Sequence, residues 1–374
     1  MLRIAHMTAD IDGRANSGTA RVARELIHEL AKYKDVRQTF VHFSQSSEDI
    51  YLLPNVNEII IPLGTNWITK RRSISFLKWC IVRKFKNKEA KFDVVHWHSS
   101  RLYPFFFLFP SRKTILTLHD VGQRIIPNVN TFATIVHYWN ARIFQRKIHK
   151  IIAVSKAALR DMEVIGKLST KRLAYIYYGT NFGQLKSAPI PGFEIPDQFL
   201  LCVSRWQPHK NVGILVKAVH ELSKELIQAD VKVILVGKPV GNFDMPQQLI
   251  SKFRLESQII TLSDLSDGNL AYLYDCALIN IFPSLHEGFG LSVLEGMSRG
   301  CASMVHAKTA TREIAGDSGI SVDMTNLEEL VKNIRMVINN PSEIEWKNSL
   351  ALKLSEQFTW GKSAEKLKEI YESD

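Results

Sequence analysis

Residues 281–300 read Ile-Phe-Pro-Ser-Leu-His-Glu-Gly-Phe-Gly-Leu-Ser-Val-Leu-Glu-Gly-Met-Ser-Arg-Gly. An apolar run from Ala277 to Phe282 leads into this stretch like a buried strand. Leu291, Val293, Leu294 and Met297 lead out of it as a helix. Strand, glycine turn and helix together make the βα step of a parallel sheet. Glycines that open a helix after a strand leave backbone N–H groups turned toward an anion. With Glu287 in the turn and Glu295 about one turn inside the helix, the two carboxylates bracket that anion. Eight residues at helical rise span roughly 12 Å, enough to touch both ends of a nucleotide-sugar. The plainer alternative is a βα turn with two solvated glutamates.

The same alternation extends in both directions. Strands are expected at Leu2–Met7, Thr39–Phe43, Glu58–Pro62, Val94–His98, Thr114–His119, Lys150–Val154 and Ala174–Tyr178. A helix from Gly18 carries Val22, Ala23, Leu26, Ile27 and Leu30 on one face. Three prolines and a glycine within 187–196 suggest a linker. Beyond it the pattern restarts with strands at Phe199–Val203, Val231–Val236, Ile259–Leu262, Leu278–Phe282 and Ala302–His306. At 374 residues the chain suits two domains rather than one core. The expected class is α/β, two doubly wound parallel domains with an inter-domain cleft for ligand.

Charge divides with the domains. Residues 1–190 hold 30 Lys+Arg against 13 Asp+Glu, a net of +17, and residues 191–374 hold 18 against 24, a net of −6. Different partners for the two halves follow. No apolar run approaches 18 residues, so no membrane span is expected. The first residues enter a strand without a signal-peptide core. Cys80, Cys202, Cys276 and Cys301 are scattered, as in a reduced cytoplasmic protein.

Several constellations could carry chemistry. Arg205 and Lys210 stand in the loop after the first strand of the second half, where a guanidinium fork and an ammonium would neutralise a diphosphate. Their alternative is two surface cations. Asn16-Ser17-Gly18 lies between the first strand and helix, where small residues let backbone approach phosphate, although it is not GxGxxG. Asp10-Ile11-Asp12 fits the short DxD pattern of metal-dependent sugar transferases, but a metal is not expected. His119-Asp120 ends a strand, where a histidine points into the ligand crevice and bonds a hydroxyl or relays a proton; a structural histidine is the alternative. His96-Trp97-His98 puts two imidazoles on one strand face, without Cys or acidic partners at zinc spacing. Residues 70–91 form the strongest basic cluster, with Ile74, Leu77, Ile81 and Phe85 as an apolar stripe and Phe76, Trp79 and Val82 beside it. Such a helix either lies on an anionic membrane or packs on its own sheet. Tyr103–Phe109 is a second apolar candidate, more readily read as core. No nucleic-acid motif accompanies the basic residues.

With these residues in view, the chain resembles family 4 of the retaining nucleotide-sugar glycosyltransferases, the GT-B "group 1" enzymes, over nearly its whole length. Ser284–Leu291 through Glu295 is similar to that family's Glu-x7-Glu signature. Arg205 and Lys210 match its diphosphate pair, and Ser17-Gly18 its glycine loop facing the donor phosphates. Asp93–His96, His119-Asp120 and Ala153–Lys156 match strand-end motifs. Phe358-Thr359-Trp360 resembles the segment that crosses back to the first domain. Ser292 replaces a frequent proline, and Asn16-Ser17-Gly18 a cleaner Gly-Gly. The phrases around Lys210-Asn211 and Thr311–Gly316 are similar to those of bacterial polysaccharide mannosyltransferases.

The resemblance implies a GT-B fold of two Rossmann-like domains facing a cleft. Residues 1–187 would be the acceptor-side domain, 188–355 the nucleotide-sugar domain and 356–374 the helix crossing back. It implies transfer of a hexose, mannose-like, with retention and without a metal cofactor, from a nucleoside diphosphate-sugar to a glycan or lipid-linked glycan. Glu287, His119, Arg205 and Lys210 would be catalytic. Ser17, Gly18, Asp120, Gly237, Gly288, Phe289, Gly290, Leu291 and Glu295 would complete the donor site, Glu295 on the ribose and Glu287 on the transferred sugar. The expected location is cytoplasmic, peripheral on the inner face of the membrane. A nucleotide-sugar epimerase on the same scaffold and a non-catalytic sugar- or lipid-binding subunit are the rival readings.

Overall fold

The computed structural model describes residues 1–8, 18–43, 53, 56–63, 71–86, 91–99, 102–121, 139 and 141–373, with side chains of 83–86 left aside. Two compact units result: Met1–Tyr178 with Trp360–Asp374 (unit 1), and Gly179–Thr359 (unit 2).

Among the described residues, unit 1 carries strands β1 (Leu2–Met7), β2 (Val36–His42), β3 (Val56–Ile60), β4 (Phe92–Trp97), β5 (Ser111–Thr117), β6 (Lys150–Ala153) and β7 (Leu173–Tyr175). They form one parallel sheet in the order β3-β2-β1-β4-β5-β6-β7. The order reverses direction between β1 and β4, where ligands bind in open α/β sheets. The helix Gly18–Leu30 buries Ala20, Val22, Ala23, Leu26, Ile27 and Leu30, the face its spacing requires.

The returning helix Trp360–Glu372 buries Trp360, Ala364, Leu367, Ile370 and Tyr371 within unit 1. Its last carbonyls are capped from the sheet: Lys113 Nζ donates to Tyr371, Glu372 and Ser373, and His149 Nε2 to Ser373 at 3.1 Å. Cations at this end also oppose the helix dipole.

The basic helix Arg72–Lys86 packs on unit 1 through Phe76 and Cys80, both fully buried. Phe76 lies edge-on to Trp97 and stacks on Phe109, so Tyr103, Phe106 and Phe109 of the 103–109 segment are core, whereas Phe105 is 48% exposed. The buried face differs from the expected Ile74–Leu77–Ile81 stripe, for Ile81 is 40% exposed. Phe76 instead turns inward, where its ring packs on those of Trp97 and Phe109.

Unit 2 carries β8 (Gln198–Val203), β9 (Val231–Val236), β10 (Ile259–Leu262), β11 (Ile279–Phe282), β12 (Ser303–His306) and β13 (Ile320–Val322) in the parallel order β10-β9-β8-β11-β12-β13. Its reversal lies between β8 and β11. The expected linker, 187–196, belongs to this unit rather than lying between two. Ile190, Phe193 and Ile195 pack against its core. Arg299 donates to the carbonyls of Phe182 (3.2 Å), Gly183 (3.3 Å) and Leu185 (3.0 Å), and pairs with Asp275 at 2.5 Å. The chain therefore passes between the units near Tyr178-Gly179 and Thr359-Trp360, ahead of the expected 187/188 boundary and just past 355/356. Prolines prevent strand formation here but leave the apolar side chains free to bury.

Candidate functional site

In unit 2 the site residues leave the two strands that flank the reversal. After β8 the chain runs through Ser204–Asn211; after β11 it runs through Pro283–Gly290. Because β8 and β11 are hydrogen-bonded neighbours, the two loops leave the same sheet edge side by side. Leu285 N donates to His209 O at 2.9 Å, and Ser284 Oγ to His209 O at 3.3 Å. Asn211, in the left-handed region at φ 53°, ends the short turn Pro208–Lys210 and opens the helix Val212–Glu221. Asparagine tolerates that region better than most residues, and Asn211 Nδ2 is tied to Met324 O at 2.8 Å.

This geometry brings Lys210 onto Glu287, with Nζ to Oε1 at 2.5 Å. The side chains are only 18% and 15% exposed, and the Lys210 ammonium lies 5.5 Å from the Phe282 ring centroid. Arg205, five residues back, is exposed and forms no ion pair among the described residues. Glu295 lies in the helix Leu291–Met297 at 7% exposure. Its charge, after burial, helps hold the Tyr274 hydroxyl well above the usual tyrosine range.

Two glycines are needed by contact as well as by torsion. At Gly290 (φ 101°) a Cβ would meet Thr311 Cγ2 at 2.6 Å. The left-handed turn there opens the helix, so that its first-turn amides face outward. At Gly237 (φ 153°) a Cβ would meet the Ser204 carbonyl oxygen at 1.9 Å. Trp206 N donates to Lys238 O at 3.0 Å, joining the β8 and β9 exits. The packing of these exits alone demands glycine at 237. Gly288 and Phe289 are buried in the turn and Leu291 begins the helix.

Unit 1 presents a cluster that spacing along the chain does not announce. His6 on β1 and His96 on β4 are register partners across the reversal, and His98 follows β4. Gln38 commits its amide N–H to Ile27 O at 3.1 Å, so its Oε1 accepts from His6 Nε2 at 2.9 Å. His6 Nδ1 then accepts from His98 Nε2 at 2.9 Å. His96 bonds Tyr371 Oη at 2.6 Å and Thr117 Oγ1 at 2.7 Å. These tautomers follow from the network. Three ring nitrogens, one from each histidine, lie within 4.8 Å of one another, a spacing that could hold a cation. Both nitrogens of His6 and of His96, however, already serve hydrogen bonds within the protein.

His119 lies two residues past β5, partly buried, and Asp120 beside it is exposed. His119 Nε2 donates to the His98 carbonyl at 2.9 Å, and its Nδ1 accepts from Tyr178 Oη at 3.2 Å. Neither ring nitrogen is idle, so a proton relay through His119 would first require breaking one of these bonds. Gly18 is the exposed first residue of its helix, whereas Ser17, Asp10 and Asp12 lie outside the described residues.

The description "Glycosyl transferases group 1" matches residues 187–372, and "Glycosyltransferase Family 4" matches residues 16–183. The chain belongs to the family 4, group 1 glycosyltransferases. Among relatives of this family 4 protein, the serotype-specific mannosyltransferase WbdA of Escherichia coli is 25% identical over 272 residues, covering 67% of this chain and 32% of WbdA. O-antigen chain mannosyltransferase B of Escherichia coli is 30% identical over 162 residues, covering 43% of this chain and 42% of the relative. The matches thus span about a third to two fifths of those relatives. Sucrose-phosphate synthase from Thermosynechococcus elongatus shares the fold with a TM-score of 0.77 at 16% identity, covering 100% of this chain and 98% of that one. Two parallel Rossmann-like units are the GT-B architecture expected from the sequence. No helix among the described residues is long and apolar enough to cross a membrane.

The histidine cluster should make the core of unit 1 acid-sensitive. Burial lowers His6 from 6.5 to about 4, against the weaker upward pull of Gln38, and lowers His96 and His98 well below the usual range. The unfolded chain therefore takes up protons first. Stability from neutral His6 is complete above pH 6.5 and is lost as pH falls toward 4. At pH 5 the loss from His6 alone is on the order of 2 kcal/mol. Urea unfolding at pH 7 and pH 5, followed by fluorescence from the unit 1 tryptophans, should show a lower midpoint at pH 5. Equal midpoints would contradict neutral burial.

Proposed function

We propose that this protein is a retaining hexosyltransferase. It moves a mannose-like sugar from a nucleoside diphosphate-sugar to a glycan or lipid-linked glycan in cell-surface polysaccharide synthesis. The observation that carries the reading is the Lys210–Glu287 pair, drawn from the two loops at the β8–β11 reversal, with Arg205 exposed in the same loop as Lys210. The scissile bond of such a donor joins a sugar carbon to a phosphate oxygen. A cation suited to the phosphate and a carboxylate suited to the sugar hydroxyls meet in one ion pair, as that bond requires.

As the bond breaks, negative charge grows on the diphosphate. Arg205, Lys210 and the amides of Gly288–Leu291 stabilise that charge. Glu287 accepts hydrogen bonds from the sugar and favours positive charge on its ring. Glu295 accepts from the ribose hydroxyls. Attack comes from the face the diphosphate leaves, and the departing phosphate oxygen takes the acceptor's proton. No metal is assigned a part. Support for the sugar class comes from the relatives named mannosyltransferases. The net +17 half and the exposed Lys78, Ile81 and Val82 favour an anionic membrane surface as a further partner, which vesicle co-sedimentation would test.

Thermal-shift screening with UDP-, GDP-, ADP- and dTDP-sugars should single out one base by its stabilisation. With that nucleotide, Glu295→Ala should weaken binding about tenfold or more by calorimetry, as loss of charge-assisted hydrogen bonds implies. An unchanged dissociation constant would remove Glu295 from the ribose. Conversion of donor to an epimer without acceptor would favour the epimerase instead.

A further inference from the structure

Three side chains meet where the chain leaves unit 1 and returns to it. Tyr178 follows β7, is 2% exposed and is the last residue before the crossing. Its ring lies 5.9 Å from that of Trp360, the first residue after the return. Its hydroxyl reaches His119 Nδ1 at 3.2 Å. The opposite nitrogen of His119 faces the His98 carbonyl at 2.9 Å. A carbonyl only accepts, so Nε2 carries the proton and Nδ1 holds a lone pair toward Tyr178. His98 is itself held by the His6–Gln38 chain.

We propose that Tyr178 is a positioning residue for transfer: its hydroxyl, opposite the His98 carbonyl, holds His119 neutral and in one tautomer. The inference rests on the reading, implied by the family resemblance, that His119 is catalytic. Positive charge develops on the transferred sugar's ring in the transition state, and an added imidazolium charge would oppose the reaction. A donor on Nδ1 disfavours a second proton there. The other groups facing His119 divide. Burial pushes its proton affinity down, against the upward pull of the His98 carbonyl and Asp120; the charges of His96 on β4 and of His98 just past it also interact with it. Tyr178 thus opposes the two groups that favour protonation, and Trp360 fixes the tyrosine ring.

Tyr178→Phe tests this, because it keeps the ring on Trp360 and removes only the hydroxyl. In the wild type, histidine 15N spectra should show His119 as the Nε2–H tautomer; an Nδ1–H tautomer overturns the proposal. In Tyr178→Phe, His119 should titrate at higher pH. Its kcat should then fall by up to about five- to tenfold on the acid side and recover as pH rises, with donor KM little changed, as the loss of one hydrogen bond implies. A loss equal at every pH, or an unshifted His119 titration, would mean that Tyr178 merely packs. His119→Ala separates the two levels. Full activity in that variant would remove His119 from the reaction and sink the catalytic part of the proposal, while the 15N titration still decides the contact.

Discussion

Arg205→Ala should lower kcat with activated donor by about 10²- to 10³-fold, the effect of removing one charge-stabilising group from a preorganised site. The melting temperature should stay within about 2 °C, because Arg205 is exposed and pairs with no carboxylate among the described residues. This combination separates chemistry from folding in a way that Lys210 cannot. Removing Lys210 would strand the half-buried Glu287 carboxylate, so lost activity and lost stability would be mixed. Arg205→Lys should recover part of the rate, since an ammonium restores charge but not the planar fork. Nucleoside diphosphate release measured beside a thermal melt checks both. A near-normal kcat for the alanine variant would sink the diphosphate role.

Gly237→Ala should have the largest effect on the fold of unit 2. The added Cβ would lie 1.9 Å from a backbone oxygen, Ser204 O, at φ 153°. That oxygen cannot rotate away as a side chain would. Ser204 N is bonded to Val236 O at 2.9 Å and Gly237 N to Leu262 O at 2.8 Å. Overpacking and torsional strain together cost about 3 kcal/mol or more. For a unit of this size that lowers the melting temperature by roughly 6–12 °C. The β8 and β9 exits must spread, so Arg205 moves and activity falls with stability. Gly241→Ala is the control: at φ 63° with no atom within 4 Å of the added Cβ, it carries only the left-handed torsional cost, about 1 kcal/mol. Equal melting temperatures for Gly237→Ala and wild type would show that the exits yield freely.

The strands and their class were legible because buried parallel strands are apolar throughout and helices carry a 3.6-residue stripe. The face of Gly18–Leu30 was read residue by residue. β13, three residues long, was missed because so short a run carries no period. The linker was misplaced because prolines mark where regular structure stops and say nothing of what the side chains touch. Ile190, Phe193 and Ile195 pack all the same. The stripe of Arg72–Lys86 was rotated because Phe76 answers to Trp97 on β4 and to Phe109 in the segment before β5.

The same division runs through the site. Glu287 in a turn, Gly290 in the left-handed region and Glu295 inside the following helix depend on neighbours a few residues away, so Glu-x7-Glu was enough to place them. The Lys210–Glu287 pair joins residues 77 apart, and the Tyr178–His119 bond residues 59 apart. His6 meets His98 across 92 residues. Each contact depends on which strands are neighbours and in what register, and register is set by the packing of whole sheets. The sequence alone determined the family, the doubly wound units and the two carboxylates. Only the tertiary structure decided the contacts across the chain: Lys210 against Glu287, and Tyr178 against His119.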